Sequence, residues 1–508
     1  MDTKRCISSL TLEQLTAELK AMGQPGFRAK QIFHWVHQKL VTDFSAMTDQ
    51  PKTLLAKLEE AFYIAAPIIE RRQEAKDGTV KYLLRMADGN CIETVVMRYH
   101  YGNTVCVSTQ VGCRMGCRFC ASTQAGRVRN LEAGEICSEI YTAQKDIGER
   151  ISHIVLMGIG EPLDNFDEVM RFLENISSPE GVNIGMRNIS LSTCGLVPKI
   201  DQLAEKKLQL TLSVSLHAPN NDIRSGMMPV NDAYPVEVLM QAVRRYQDTT
   251  GRRVSFEYSM VRGVNDSDAC AKQLADLIRG MGAHVNLIPI NPVDGSPYSA
   301  TDAANVRRFQ QKLESLGVNA TVRRRLGSEI SAACGQLRRD EMVKPMKLAG
   351  KTDVGSVRQE NQDDYRAGEL PGGAAWGLVC DGMGGARGGR EASLSACDVI
   401  EHCFLEQYAQ CLPGDEESFL KRALISANRF VFQKASRVEE LAGMGTTAVC
   451  ALVRGGTAYL CHAGDSRAYL CRGGKLTQLT HDHSYVQELV DCGTITEEEA
   501  EHHPQKNI

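Results

Sequence analysis

Long apolar runs are missing from this chain: nowhere in its 508 residues do the roughly 20 uninterrupted apolar residues of a membrane-spanning helix occur. Its first twenty residues, MDTKRCISSLTLEQLTAELK, hold no apolar segment of the kind that marks a secretory leader. Low-complexity tracts are absent too, and 43% of the residues are hydrophobic, enough for ample cores. These absences exclude secreted, membrane-spanning and disordered classes and imply a cytoplasmic protein. Its eighteen cysteines are then expected in a reducing compartment, where thiols bind metals or do chemistry instead of stapling loops.

At about 100–200 residues per domain, the length suggests about three domains. Charge divides them unevenly, with a balance of +3 over residues 1–345 and −7 over residues 346–508. A mildly basic first part permits nucleic-acid binding, and an acidic second part argues against it there. Residues 1–90 read as helices followed by a small strand region. TLEQLTAELKAMG has helical apolar spacing with Gly23 where a C-cap would fall, and FRAKQIFHWVHQKL groups Ile32, Phe33, Trp35 and Val36 with basic residues. From Thr104 onward, TVCVST, HIVLMG, NISLST, LTLSVSLH, VSFEYSMV and HVNLIPI read as six strands alternating with helices. Apolar strands of this kind are expected to be parallel and helix-covered, in an open doubly wound sheet or a barrel. A further strand, NATVRRRLG, leads into the loop SEISAACGQL. After Pro345 glycines become frequent and strands shorter, and no Gly/Ser- or Pro-rich linker separates the two parts.

The strongest chemical signal is Cys113-Arg-Met-Gly-Cys117-Arg-Phe-Cys120, which follows the first of the six strands. Three thiolates on one short loop can hold three corners of a cubane iron–sulfur cluster and leave the fourth iron open. That iron can chelate the amino and carboxylate groups of S-adenosylmethionine. An electron from the cluster can then break the sulfonium C–S bond and release a 5′-deoxyadenosyl radical. The alternative is a structural zinc site with His100 as fourth ligand, although zinc sites usually use C-x2-C pairs. The C-x3-C-x2-C spacing resembles the radical SAM superfamily. Met157-Gly-Ile-Gly160-Glu161-Pro162 matches that superfamily's segment against the methionine moiety of the cofactor, with small residues for close approach and Glu161 to accept from the ammonium. Ser192, then Ser215, Leu216 and His217, and then Asn291 end later strands, and such strand ends are where barrels and open sheets place ligands.

Glu93-Thr-Val, Cys106-Val-Ser-Thr-Gln-Val-Gly-Cys113, MGIGEPL, SVSLHAPN, LIPINPV and GSEISAACGQL together resemble the RlmN family of RNA methyltransferases, from about residue 10 to residue 343. The resemblance implies an α/β fold: an incomplete (β/α)6 radical SAM barrel at residues 91–345 behind a small helical N-terminal accessory domain, residues 1–90, that serves RNA binding. It implies a [4Fe–4S] cluster and S-adenosyl-L-methionine as cofactors, and an electron donor such as flavodoxin or ferredoxin. The implied substrates are an adenine in the peptidyl-transferase region of 23S rRNA and the tRNA adenine 3′ of the anticodon, unstacked to enter the pocket. Adenine C2 is not nucleophilic, so polar transfer from a sulfonium fails there and a radical route is needed. By resemblance Cys334 first takes a methyl group by displacement, and the radical from a second cofactor molecule removes hydrogen from it. The methylene radical adds to C2, Glu93 accepts the C2 proton, and Cys106 attacks the sulfur to release the base through a transient disulfide. As a bare residue Cys334 reads as a small buried apolar side chain, and only the resemblance singles it out. Arg323, Arg324, Arg325, Arg338 and Arg339 flank it, as a phosphate-binding cluster or a solvated face. Two other readings stay open: a Cfr-type enzyme acting at adenine C8, and an RNA-binding iron–sulfur protein without methylase activity.

Residues 346–508 carry a different set. Thr352-Asp353 through Arg358, Asn361, Asp363 and Asp364, then Asp381-Gly382-Met-Gly-Gly385, Gly445-Thr446-Thr447, Gly464-Asp465-Ser466-Arg467 and Thr480-His-Asp482-His483-Ser484 resemble the PPM-type bacterial Ser/Thr phosphatases. The resemblance implies a helix-flanked β-sandwich with Mn or Mg ions activating water against a phosphoester. Asp381 and the Gly382 carbonyl would serve the metals, and Arg358 the phosphate. The family's later Ser-Asp-Gly and Asp-Asn motifs do not appear before EHHPQKNI, so the expectation is a truncated α/β sandwich with an incomplete metal shell and no useful phosphatase activity. Met346 reads either as the start of a separate reading frame or as a junction inside one bifunctional protein.

Overall fold

The computed structural model describes residues 4–123, 126–290, 298–324, 326, 330, 346–356, 358–371, 373–383, 385–408, 411, 414–454, 456–472 and 474–504. It falls into two compact units, residues 1–339 and 340–508.

The first unit opens with three helices: α1 (Leu12–Ala21), α2 (Phe27–His37) and α3 (Lys52–Ala61). A capping box starts α1, with Thr11 and Gln14 exchanging side-chain and main-chain hydrogen bonds. Leu15, Leu19, Ile32, Phe33, Val36, Leu54 and Leu58 form their shared core. The main sheet has ten strands in sequence order: β1 (Ile68–Glu74), β2 (Val80–Arg85), β3 (Cys91–Tyr99), β4 (Gly102–Cys106), β5 (Ile151–Leu156), β6 (Ile189–Thr193), β7 (Thr211–Ser215), β8 (Val254–Met260), β9 (His284–Pro289) and β10 (Asn319–Val322). Strands β1 to β4 are antiparallel, and from β4 to β10 every pairing is parallel. The strands at 68–85 therefore extend this sheet and are not part of the helical unit, which closes near Ile64. The reason is burial: Val80, Tyr82 and Leu84 enter the same core as Val96, Val105 and Ile136.

The strand order never reverses, so the sheet has no switch point of the doubly wound kind. Among the described residues its edge strands β1 and β10 do not pair, which leaves an open barrel. Helices α4 (Ala133–Ile147), α5 (Phe166–Ser177), α6 (Val197–Glu205), α7 (Val236–Thr250), α8 (Asp268–Leu277) and α9 (Ala303–Ser315) lie between the parallel strands in sequence. Leu191, Leu212, Val214, Phe256 and Leu287 belong to the core formed with them. Side chains alternate along a strand, so Ser190, Ser192, Ser213, Ser215, Ser255, Glu257 and Asn286 line the other, inward face.

In the second unit, β11 (Asp363–Leu370), β12 (Ala374–Met383), β13 (Ala448–Arg454) and β14 (Thr457–Ala463) form an antiparallel sheet, with Gly445–Thr446 added to β12. Two long helices, α10 (Gly385–Gln407) and α11 (Glu416–Arg437), pack on it. Trp376 stacks on Phe404 at 4.5 Å in their common core. Among the described residues the opposite face is open, with Val379 48% and Met383 51% exposed. A separate ribbon pairs Tyr469–Arg472 with Lys475–Gln478.

Candidate active site

The chain leaves β4 at Cys106 and forms a small hairpin, Gln110–Gly112 with Arg127–Asn130, and the cysteine loop hangs from its tip. The Cys113 N–H donates to the Gly126 carbonyl at 3.0 Å, and the Thr123 hydroxyl bonds the carbonyls of Cys117 and Cys120. Arg118 N–H reaches the Met227 carbonyl at 3.0 Å, and Cys117 and Cys120 pack with Cys194, Met227, Met228 and Ile290. Burial pushes the Cys113 thiol up to about 12 and Cys117 further, and the neighbouring thiols add to both. The free thiols are therefore protonated at neutral pH, and a metal must displace those protons to bind. Among the described residues no three His, Cys, Asp or Glu side chains already stand together in metal-ligating positions. The donor set itself fits an iron–sulfur cluster: three thiols on one loop, close enough to feel each other's charge. His100 sits at the β3–β4 turn, the other end of β4 from this loop, so it does not complete a zinc site there.

Gly158 and Gly160 bring the next segment against the start of the hairpin. A Cβ on Gly158 would lie 2.5 Å from the Val107 carbonyl, and one on Gly160 (φ +113°) 2.7 Å from the Gln110 Cβ. Gln110 ties the two together, accepting from Glu161 N–H at 2.9 Å and donating to Asp164 at 2.9 Å. Glu161 is buried and accepts from the Leu163 N–H at 3.1 Å and the Cys194 N–H at 2.7 Å. Burial raises its proton affinity, and those N–H groups work against the rise. The same Cys194 contact brings in the end of β6, where Ser192 lies. At the end of β7, Ser215 and Leu216 precede His217, whose φ of +56° turns the chain and whose ring meets Phe119 of the cysteine loop edge-on at 5.0 Å. His217 Nδ1 accepts from Ser259 N–H at 2.9 Å, and burial holds its pKa near 3, so the ring is neutral. The cysteine loop, the Gly158–Glu161 segment and the ends of β6 and β7 thus form one rim.

Glu93 and Cys106 stand beside it. Glu93, Val95 and Met97 alternate along β3 and share a face, and Val95 is the cross-strand partner of Cys106. Cys106 is buried with Val95, Met97, Met157 and Leu326. Glu93 is buried against Lys81 at 3.0 Å, both side chains at most 2% exposed. The Ser108 hydroxyl donates to the Glu93 carbonyl at 2.7 Å and accepts from Ile159 N–H at 3.1 Å, joining this face to the Gly158–Glu161 segment. Under it lies the fully buried Glu139, which accepts from Thr94 and Ser108 and whose carboxyl burial pushes well up. Asn291, Cys334, Arg325, Arg338 and Arg339 lie outside the described residues, and Arg323 and Arg324 are exposed.

Sequence reasoning missed Lys81, Ser108, Glu139 and Arg224. A charged residue inside the apolar run VKYLL was the one available signal for Lys81. The serines repeating every second residue in NISLST and LTLSVSLH marked the polar inward face.

In the second unit Asp381 stands directly across the β11–β12 ladder from Asp363. Burial, Asp363 and Asp465 all raise its proton affinity, with Arg358 opposing. A Cβ on Gly382 would lie 2.0 Å from the Gly389 carbonyl. Thr447 exchanges hydrogen bonds with the Asp381 main chain and contacts Ser466 at 2.7 Å, and Arg467 grips Asp482 with two nitrogens. Among the described residues this pair of facing aspartates, with Asp465 near it, is short of a three-ligand metal cluster.

Three family models match the chain: the ribosomal RNA large subunit methyltransferase N-terminal domain over residues 7–64, the radical SAM superfamily over 107–272, and protein phosphatase 2C over 355–508. A probable dual-specificity RNA methyltransferase RlmN from Lachnoclostridium phytofermentans is 51% identical over 341 residues, 67% of this chain and 96% of that protein. One of the same description from Clostridium perfringens is 52% identical over 334 residues, covering 66% and 96%. The crystal structure of a radical SAM methyltransferase from Sphaerobacter thermophilus matches with a TM-score of 0.62 at 47% identity, covering 65% of this chain and 98% of that one. The chain therefore belongs, over its first two thirds, to the RlmN family of radical SAM RNA methyltransferases, and carries a protein phosphatase 2C-like region after it.

Proposed function

We propose that the first unit methylates C2 of adenine in the peptidyl-transferase region of 23S rRNA and in tRNA 3′ of the anticodon. Cys113, Cys117 and Cys120 would hold a [4Fe–4S] cluster, and Gly160, Glu161, Ser192, Ser215, Leu216, His217 and Asn291 would bind S-adenosylmethionine. With a flavodoxin or ferredoxin as electron donor, the cluster supplies reductive cleavage of the sulfonium. The chain's own residues do the rest. Cys334 carries the one-carbon unit, Glu93 takes the proton from C2, and Cys106 resolves the sulfur-linked RNA. The observation that supports this reading most is the single inward face on which Glu93, Val95 and Met97 lie with Cys106, tied through Ser108 to the Gly158–Glu161 segment. The Glu93 carboxylate that would take the proton is buried against Lys81. In the second unit Asp381 and the Gly382 carbonyl would hold a manganese or magnesium ion, with Arg358 toward a phosphate.

The test is anaerobic reconstitution with iron, sulfide, reductant, S-adenosylmethionine and 23S rRNA, followed by mass analysis of the nucleosides. The expected products are 2-methyladenosine and 5′-deoxyadenosine. 8-Methyladenosine would assign Cfr-type chemistry instead, and a loaded cluster with neither methylated product would leave an RNA-binding protein.

A further inference from the structure

Arg224, in the short helix Asn221–Met227 behind the rim, is completely buried. A buried guanidinium ordinarily faces a carboxylate, because desolvating an unpaired charge costs several kcal/mol, to order of magnitude. Its hydrogen-bond acceptors here are all neutral. Nε donates to the Leu216 carbonyl at 3.1 Å, and Nη1 to the Asn231 side-chain oxygen at 3.1 Å. Nη2 donates to the carbonyls of Cys194 at 2.7 Å and Ser215 at 3.3 Å. One side chain therefore fastens the ends of β6 and β7. Gly195, at φ +107°, leaves room for it: a Cβ there would come within 3.3 Å of Nη2.

Cys194 has a second tie. Its N–H donates to Glu161 at 2.7 Å while its carbonyl accepts from Arg224. A buried carboxyl and a buried guanidinium are thus held on either side of one residue, one by its N–H and the other by its carbonyl. That separation of charges is complementary to an α-amino acid, with an ammonium and a carboxylate on one carbon.

We propose that Arg224 is a positioning residue for the amino-acid end of S-adenosylmethionine. It locks the rim and sets a fixed positive charge that favours the ligand's carboxylate, opposite the Glu161 that favours its ammonium. This rests on the radical SAM reading of the rim. Arg224 acts through the rim and through its field, since its own surface is closed to the ligand.

Two variants separate the charge from the scaffold. Asn231→Asp keeps the guanidinium in place and sets a carboxylate against it, which cancels the charge. Arg224→Lys keeps the charge and loses the fork. The full chain is loaded with its cluster anaerobically, and dissociation constants are measured by equilibrium dialysis for S-adenosylmethionine and for its decarboxylated analogue. Asn231→Asp is expected to weaken S-adenosylmethionine about tenfold, the scale of a unit charge neutralised across a partly screened site, and to leave the decarboxylated analogue within twofold. Arg224→Lys is expected to weaken both ligands and to lower the unfolding temperature. If the ratio of the two constants in Asn231→Asp equals that of the wild type, the proposal is wrong, whatever Arg224→Lys does to folding. Wild type that binds and cleaves S-adenosylmethionine under those conditions keeps the radical SAM reading intact even then. Wild type that binds neither ligand removes both.

Discussion

At the rim of the first unit, Glu161 takes two main-chain N–H groups and Glu93 faces Lys81 at 3.0 Å, whereas in the second unit Asp381 faces another aspartate, Asp363, with Asp465 nearby. The first arrangement is satisfied before any ligand arrives and can wait, shaped, for substrate. The second concentrates like charge, which raises the proton affinity of Asp381. Apolar surface differs in the same direction. Of the nineteen large apolar side chains exposed among the described residues, thirteen lie in the second unit, although it is half as long. Covered cores and paired charges should give the first unit the higher unfolding temperature of the two.

The largest expected effect separates the chemistries. Cys117→Ala should abolish iron–sulfur loading and RNA methylation, while Asp381→Ala leaves both at wild-type levels; iron analysis and methyl transfer to rRNA measure this. Methylation that falls with Asp381→Ala would break the comparison by making the units interdependent. Next comes the buried ion pair. Lys81→Met leaves the Glu93 carboxylate without its cation and should cost the first unit about 3–5 kcal/mol, seen by denaturant unfolding as a shift of one transition only. A loss below about 1 kcal/mol would mean that Lys81 contributes little to holding Glu93.

Acid acts with opposite signs on the buried histidines of the first unit and on the aspartate pair of the second. Burial lowers His37 and His217 to about 3, against 6.5 when exposed, so both are neutral in the folded first unit. Their contribution is full above pH 6.5 and is lost as pH falls from there toward 3. Asp381 is raised, first by burial and then by Asp363, so its folded form binds the proton more tightly than the unfolded chain does. Its penalty is present at neutral pH and disappears as pH falls through the raised value toward 3.8. Glu139 and Glu161, whose proton affinity burial raises, oppose the histidines in the first unit, so calorimetry at pH 7 and pH 5 should show the first unit's transition falling more in wild type than in His37→Phe, and the second's holding or rising. Two transitions that fall in parallel would contradict this. The smallest effect is metal: manganese at saturation, or Asp381→Asn without it, should raise the second transition by about 2–4 °C, the shift of roughly 1 kcal/mol in a domain this size.

How much of this was legible in the sequence depended on periodicity and spacing. The parallel strands could be found because VCV, IVL, LTLSV and VNLI are apolar and bounded by turns, and the cysteine loop because its spacing is specific. The membership of β1 and β2 in the main sheet was hidden, since nothing local in IIERRQE or VKYLLR says which core they enter. Helix α10 was hidden by its glycine-rich start, which reads as a loop until the packing of Ala392, Ala396 and Ile400 is seen. Arg224 and Glu139 were hidden for a general reason. A charged residue on a helix reads as solvent-facing, and only the tertiary fold shows that it is buried.

The proposed chemistry turns on Cys106 resolving an RNA held on Cys334. The most direct test compares Cys106→Ala and Cys334→Ala protein on denaturing gels after anaerobic turnover with rRNA, with and without ribonuclease. A ribonuclease-sensitive shifted band is expected for Cys106→Ala alone, and no methylation and no adduct for Cys334→Ala. Normal turnover by Cys106→Ala without any adduct would contradict it.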